Sequence, residues 1–293
     1  MAAPDKPRHS SGYSREETRE VESTLLTVAV TLGAYFDRLC IVGGLVPSLL
    51  LDGGLADEDD DRHVGSGDVD VALHIGLLND GDYAEVSDRL RREGFEPDAN
   101  EEGNKTLQRW RLGKASVTID FLIPLVPDSG EGRRLHKLEP DFGAIMTKGL
   151  ELAFEEIREI QLAGHTRKGE AAERTIPVCG PAAFVILKSF AFQDRGEPKD
   201  AYDLVYVIRR APGGAASIAE TLEGHAVNHA EIVREALERL ASNFETVEHT
   251  GPVRAADFIS DADVDRDADR ADAQGAAADL VSECRRRGLI TSG

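Results

Sequence analysis

The sequence is poor in cysteine and in long apolar runs. Its three cysteines, Cys40, Cys179 and Cys284, are far apart. An odd number of distant cysteines indicates neither a disulfide framework nor a zinc site. The longest mostly apolar run, residues 39–51, is too short to cross a bilayer and is interrupted by two glycines and a proline. We therefore expect no membrane association and, without an apolar signal core at the start of the chain, a cytoplasmic location.

Basic residues are also scarce. The chain of 293 residues has 34 Lys and Arg against 54 Asp and Glu, which gives a formal net charge of −20. This balance argues against a protein that coats nucleic acid with a uniformly basic surface. The surplus acid lies in 57–61 and 257–279, whereas residues 131–210 hold equal numbers of acids and bases. This distribution is compatible with a local basic groove in the middle of the chain. The general acidity is equally explained as a feature that keeps the protein soluble.

The amino-acid composition is that of a globular protein, with 41% apolar and 30% charged residues. Hydrophobic periodicity and turn signals predict an α+β first half with a small mixed sheet flanked by helices, followed by a mainly helical C-terminal part. Four parts are expected: a flexible tail (1–13), a core (14–130), a continuation of that core with two Lys- and Asp-bearing helices (131–210), and an acidic helical part (211–293).

The sequence pattern also predicts the individual elements. Strands are expected at 39–42, 69–75, 106–112, 116–123, and near 156–162 and 175–178. Helices are expected after the Ser14 cap and at 45–51, 83–93, 182–193, 199–210, 220–244 and 268–287.

Three acidic residues are the strongest candidates for a functional site. Asp68 and Asp70 are two residues apart at the start of a strand, so they point to the same face of the sheet. Two adjacent carboxylates repel each other unless a cation lies between them. Asp120 lies in an apolar strand, where an unpaired acid would cost several kcal/mol if buried. Together the three supply the hard oxygen ligands that Mg²⁺ prefers.

An alternative explanation needs no metal. Asp68 would then be an ordinary loop residue, Asp70 would face solvent, and Asp120 would lie on the exposed side of an edge strand. A pair of acids two residues apart is common in proteins, so the pair alone decides little. The glycine pair upstream and the acid inside the apolar strand favour the metal site.

Two separate motifs resemble known families. Gly43-Gly44, Ser66-Gly67-Asp68-Val69-Asp70 and Ile119-Asp120-Phe121 resemble the nucleotidyltransferase fold of the DNA polymerase β superfamily. The later segment 187–204, with Lys188, Arg195, the Lys199-Asp200 pair and Asp203-Leu204, resembles the signature of the AbiEii/AbiGii toxin family. The resemblance covers about residues 38–210, and the two motifs occur in the order that the family requires.

The resemblance implies roles for the matching residues. Phosphate-contacting positions would be Gly43, Gly44 and Ser66, the glycines because no side chain blocks their backbone amides. The metal ligands for Mg²⁺ or Mn²⁺ would be Asp68, Asp70 and Asp120. Asp120 or a partner would assist deprotonation of the attacking hydroxyl.

The resemblance also assigns roles on the two later helices. Lys188 would contact the triphosphate, Asp203 would support the acceptor or act as a base, and Lys199 and Asp200 would shape the pocket. The residues themselves allow simpler interpretations. Lys188 follows an apolar run and could extend its ammonium from a buried helix to solvent. The spacing of Lys199 and Asp203 is also that of an ordinary helical salt bridge.

The function implied by the resemblance is metal-dependent transfer of a nucleoside monophosphate from an NTP to a hydroxyl. In the resembled family this activity belongs to toxin–antitoxin systems, and several members modify tRNA 3′ ends. The resemblance therefore makes tRNA the favoured acceptor and a separately encoded antitoxin an expected partner. The acidic surface leaves a protein or small-molecule acceptor as an alternative. Two further hypotheses assign the protein to other functional classes. It would be either a nucleotide-binding regulator without transfer activity or an interaction protein that acts through its C-terminal region.

Two segments depart from the family pattern. The acidic loop 57–61 lengthens the connection between Gly44 and Asp68, where it either folds away or restricts the acceptor. The acidic run 261–267 imitates a calcium loop but lacks the glycine turn and the terminal Glu, so a solvated linker is the favoured interpretation.

Overall fold

The computed structural model describes residues 7–52, 62–74, 80–100, 102–113, 117–126, 134–259 and 266–291. They form two compact units, which are Ser14–Cys179 and Gly180–Gly293 together with Pro7–Tyr13. Residues 1–6 of the predicted tail, the acidic loop 57–61 and residues 261–265 lie outside the described residues. The predicted boundaries at 130 and 210 stay predictions.

The first unit is built on one mixed sheet. Its strands within the described residues are β1 (Leu39–Val42), β2 (Asp68–Leu73), β3 (Phe95–Ala99), β4 (Lys105–Leu112), β5 (Thr118–Pro124), β6 (Arg134–Glu139), β7 (Phe142–Thr147), β8 (Ile157–His165) and β9 (Ala171–Cys179). Their order is β3-β4-β5-β2-β1-β9-β8, and β7 pairs with the second half of β5 and with β6. The strands β1, β2 and β5 are almost entirely buried, so the middle of the sheet is also the middle of the core.

Helices flank this sheet. They are α1 (Arg15–Leu32), the short α2 (Val46–Leu51), α3 (Asp80–Glu93) and the short α4 (Glu151–Glu155). Ser14 begins α1 as predicted, because its hydroxyl accepts from the Glu17 amide while the Glu17 carboxylate accepts from the Ser14 amide. The apolar face of α1 packs against α3 and against β8 and β9.

The second unit is helical. Its helices within the described residues are α5 (Pro181–Arg195), α6 (Pro198–Arg210), α7 (Gly214–Asn243), α8 (Thr250–Ile259) and α9 (Arg266–Arg286). Proline occupies the first turn of α5 and of α6, where its missing amide costs no hydrogen bond. Gly196 ends α5 in the left-handed conformation with φ +62°. A non-helical residue, His229, interrupts α7.

The predicted fold class is confirmed: the protein is α+β, with a mixed sheet flanked by helices and a mainly helical C-terminal part. The strands and helices predicted above are present, with ends that differ by a few residues. The pattern does not predict β3, β6 and β7, so the sheet is larger than expected. No helix within the described residues is long and apolar enough to cross a membrane.

Candidate active site

Three carboxylates meet on one face of the sheet of the first unit. Asp68 and Asp70 project from the same side of β2, and Asp70 lies directly opposite Asp120 in the parallel strand β5. One carboxylate oxygen from each residue lies within 4.8 Å of the others. Asp68 and Asp120 are buried, and Asp70 is half-buried. Three like charges this close repel one another, so the cluster has the ligand chemistry of a divalent cation site.

The metal-free alternative placed Asp120 on an edge strand, and this is wrong. The strand β5 pairs with β2 on one side and with β4 and β7 on the other. Asp120 therefore lies on an internal strand and is 8% exposed. Asp68 is likewise buried within β2, at 5% exposure, rather than in a loop.

Gly43 lies against the carboxylate of Asp70. The strand β1 ends at Val42, which is opposite Asp70, and the chain then turns through the 3₁₀ segment Gly43–Leu45. Gly43 has φ +76°, and a Cβ atom on it would lie 1.9 Å from Asp70 Oδ2. Only glycine fits both the conformation and the contact. Gly44 follows in the same turn and is half-buried.

Substituting Gly43 by alanine tests this close contact. We expect Gly43→Ala to displace the Asp70 carboxylate and to lower any Mg²⁺-dependent activity by about a hundredfold, since displacements near 1 Å in an active site have effects of this order. The left-handed backbone adds about 1–2 kcal/mol of strain. Activity assays and thermal melts of the variant measure both effects.

Gly67→Ala is the matched control, because Gly67 has no positive φ and a Cβ atom there meets nothing within 4 Å. An equal loss of activity in both variants would contradict the argument from Gly43.

Ser66 is buried beside the carboxylates. Its hydroxyl donates to Asp68 Oδ1 over 2.9 Å, so it orients Asp68 within the first unit. The neighbouring Gly65 has φ +84°, and a Cβ atom there would lie 2.3 Å from Thr18 Oγ1. The segment 65–67, here named the turn 65–67, bends at Gly67 and leads directly into β2.

Arg109 is a functional candidate that the sequence analysis missed. It lies opposite Asp120 in the antiparallel strand β4. Its Nε and Nη2 atoms donate to the two oxygens of Asp120 over 2.7 and 2.5 Å. The hydrogen bonds to Asp120 and the nearby charges of Asp68 and Asp70 raise the pKa of the guanidinium above its ordinary value. A permanent positive charge therefore offsets part of the carboxylate repulsion and fixes the orientation of Asp120.

The second unit holds a network of five ionic side chains on α5 and α6, of which Lys188, Asp200 and Asp203 are buried. Lys188 Nζ donates to Asp200 over 2.7 Å and to Asp203 over 2.6 Å. Asp203, which is fully buried, also accepts from Lys199 over 2.8 Å. Arg195 binds Asp200 through two nitrogens, at 2.6 and 2.8 Å. Three cations thus surround two carboxylates.

Burial and charge act in opposite directions on the pKa values in this network. Burial disfavours the charged form of Lys188, but Asp200 and Asp203 outweigh it and raise the Lys188 pKa. Burial lowers the pKa of Lys199, and Asp203 offsets this only in part. Burial also opposes ionisation of Asp200, yet Lys188 and Arg195 lower the pKa of that carboxyl to about 2. The network therefore holds Asp200 ionised.

The low pKa of Asp200 predicts a specific acid sensitivity. Its pKa falls from 3.8 to about 2 on folding, so its ionisation stabilises the fold fully above pH 4. This contribution, about 2 kcal/mol, is lost as the pH falls through 2. In urea unfolding between pH 5 and 2, Asp200→Asn should show a weaker loss of stability with acid than the unmodified protein. Equal pH slopes for both proteins would contradict the prediction.

The helical salt bridge predicted between Lys199 and Asp203 is confirmed. The alternative in which Lys188 extends to solvent is wrong, because its side chain is only 6% exposed and its ammonium binds two buried carboxylates. The structure thus brings the candidates together in two groups. Asp68, Asp70, Asp120, Gly43, Gly44 and Ser66 lie in the first unit, and Lys188, Lys199 and Asp203 lie in the second.

The chain matches a known protein family. A family model described as nucleotidyl transferase AbiEii toxin, type IV TA system, matches residues 35–283. This range contains every candidate residue named above and extends through most of both units. No curated protein matches the chain.

Proposed function

The chain belongs to the AbiEii nucleotidyl transferase toxin family, and from this membership we propose that it transfers a nucleoside monophosphate from an NTP to a hydroxyl acceptor. The observation that carries the proposal is the cluster of Asp68, Asp70 and Asp120, whose oxygens lie within 4.8 Å of one another. A fold rarely accepts such a cluster unless a cation compensates it.

The side chains around the cluster fit a hard divalent cation such as Mg²⁺ or Mn²⁺. Carboxylate oxygens are the ligands these ions prefer, and Asp68, Asp70 and Asp120 would supply them. Arg109 donates one hydrogen bond to each oxygen of Asp120. Each of these oxygens retains a second lone pair with which it would bind the cation. When bound, the ion supplies Lewis-acid stabilisation of charge on the phosphates and the attacking oxygen.

The reaction needs precise orientation more than covalent chemistry from the protein. The acceptor oxygen attacks the α-phosphorus, the bond from that phosphorus to the bridging oxygen of the β-phosphate breaks, and pyrophosphate leaves. The proton of the acceptor hydroxyl passes to a nearby base, for which the carboxylate of Asp120 is the candidate. Arg109 holds that carboxylate by two hydrogen bonds, so its oxygens keep a fixed direction. Gly43 and Gly44 are proposed to present their backbone amides to the phosphates, because neither residue has a side chain that would block them.

The ionic network of the second unit is the candidate triphosphate site. The family resemblance assigns Lys188 to the triphosphate, and Lys199 lies beside it on the same carboxylate, Asp203. Lys188 and Lys199 are the ammonium groups proposed to bind the anion. Asp203 holds both lysines in place and is proposed to support the acceptor.

The proposed acceptor is tRNA, and the proposed setting is a toxin–antitoxin system in the cytoplasm. The toxin family implies a cognate antitoxin. Neutralisation need not involve contact between that antitoxin and this chain. The net charge of −20 keeps a protein or a small molecule as the alternative acceptor.

A labelling experiment tests the proposal. The purified protein is incubated with Mg²⁺ and each NTP, labelled at either the α- or the γ-phosphate, in the presence and absence of total tRNA. We expect α-label, but no γ-label, on RNA, together with release of pyrophosphate. Label on the protein itself would indicate a protein acceptor. Tight Mg²⁺-dependent NTP binding without any transfer would instead support a non-catalytic nucleotide-binding regulator.

A further inference from the structure

His63 lies in the segment that leads to β2, the strand of Asp68 and Asp70. Its side chain is 3% exposed and lies two residues before Gly65, at the start of the turn 65–67. We propose that its Nδ1 atom holds this turn in the conformation that delivers Ser66 and Asp68 to the active site. His63 is then a positioning residue, and the inference rests on the proposed nucleotidyl transfer.

Two groups contact the same ring nitrogen. The backbone amide of Gly65 donates to His63 Nδ1 over 3.1 Å, and the Ser48 hydroxyl lies 3.1 Å from that atom. The backbone amide of His63 donates to Asp52 Oδ2 over 3.0 Å. Ser48 lies in α2, and Asp52 is the C-cap of that helix. His63 therefore connects the turn 65–67 to the end of α2.

The connection continues to both candidate phosphate-binding segments. The helix α2 begins directly after the turn Gly43–Leu45, which lies against Asp70. On the other side of His63, Ser66 follows Gly65 and donates to Asp68. The imidazole thus links the turn 65–67 to the helix that follows Gly43–Leu45. A shift of Gly65 would move Ser66, and with it the hydrogen bond that orients Asp68.

The contact with Gly65 also fixes the hydrogen on the ring. A backbone N–H can only donate, so Nδ1 must present its lone pair, and the proton of the neutral imidazole is on Nε2. An asparagine side chain places its Oδ1 at the position of Nδ1 and also accepts a hydrogen bond. A leucine side chain has a similar volume but offers no acceptor. The pair His63→Asn and His63→Leu therefore separates hydrogen bonding from packing.

The transfer assay with α-labelled NTP, Mg²⁺ and total tRNA is the functional test. We expect His63→Leu to lower kcat/KM at least about tenfold, since a small misplacement in an active site has effects of this size or larger. His63→Asn should retain activity within about threefold of the unmodified protein. Equal losses in the two variants, or an unchanged His63→Leu variant, would overturn the proposal.

A second measurement does not depend on activity. Nuclear magnetic resonance of the ¹⁵N-labelled full chain should show His63 with an unprotonated Nδ1, and a Gly65 amide protected from exchange in the unmodified protein and in His63→Asn. A proton on Nδ1, or an unprotected Gly65 amide, would overturn the proposal even if His63→Leu failed to fold. If the unmodified protein transferred no nucleotide, the proposed function would fail, while this measurement would still decide whether His63 holds the turn.

Discussion

Asp68→Asn combined with Asp70→Asn should abolish nucleotidyl transfer while the fold stays intact. The double variant removes two of the three carboxylates proposed to hold the metal. A catalytic metal supplies several kcal/mol of transition-state stabilisation, so we expect a loss of at least about a thousandfold in kcat/KM. Stability without metal should be equal or higher, because two of three mutually repelling charges are gone.

The assay with α-labelled NTP measures the first effect, and thermal melts in EDTA and in Mg²⁺ measure the second. Mg²⁺ should raise the melting temperature of the unmodified protein but not that of the double variant. Asp88→Asn combined with Asp141→Asn is the charge-matched control, since both side chains are more than 60% exposed and pair with Arg91 on the surface of the same unit. Full activity in the Asp68/Asp70 variant would contradict the metal site.

Asp203→Asn should cause the largest loss of stability among single substitutions in the ionic network. Asp203 is fully buried and accepts from both Lys188 and Lys199. Its neutralisation leaves three cations facing one carboxylate, Asp200, within the network. Breaking a buried ion pair from one side costs about 3–5 kcal/mol, and we expect a decrease of this size in the free energy of unfolding.

Urea unfolding measured by far-ultraviolet circular dichroism, with hydrogen exchange of the α5 and α6 amides, checks this prediction. Asp272→Asn is the control, because Asp272 bonds Arg209 at the surface of the same unit and is 61% exposed. We expect Asp272→Asn to lower the free energy of unfolding by no more than about 1 kcal/mol. Adding Lys199→Met to Asp203→Asn should restore part of the stability by restoring the charge balance. Similar losses for Asp203→Asn and Asp272→Asn would contradict the account of the network.

The three candidate carboxylates could be predicted from the sequence because the signal of each one is local. Asp68 and Asp70 share a face through the two-residue period of a strand, and Asp120 stands out as an acid in an apolar strand. The strand β1 and the first turns of α1, α5 and α6 were also predictable, since apolar pattern, Ser caps and first-turn prolines act over a few residues.

Other features depend on pairing between distant segments. The strand β3 contains Pro97 and Asp98, which are rare in strands, and it forms only because it pairs with β4 at the end of the sheet. The strand β6 is mostly exposed or half-buried, so its sequence carries no clear apolar alternation. Both strands are determined by tertiary contacts rather than by local propensity.

Arg109 in the candidate site is another feature that depends on pairing between distant segments. A signal was present, because Arg109 and Arg111 lie on one face of the predicted strand 106–112, next to the predicted strand of Asp120. The sequence could not give the register that places Arg109 opposite Asp120. Likewise, the spacing of Lys199 and Asp203 predicted their salt bridge, but the convergence of Lys188 and Arg195 on Asp200 required the packing of α5 against α6.

The carboxylate metal site can be tested by a crystal structure of the full chain with Mn²⁺ and a non-hydrolysable NTP, in which Mn²⁺ is located by its anomalous scattering. We expect an anomalous peak within bonding distance of carboxylate oxygens of Asp68, Asp70 and Asp120, with the triphosphate next to it. A bound nucleotide with no metal between these three carboxylates, or a metal held by other residues, would contradict this expectation.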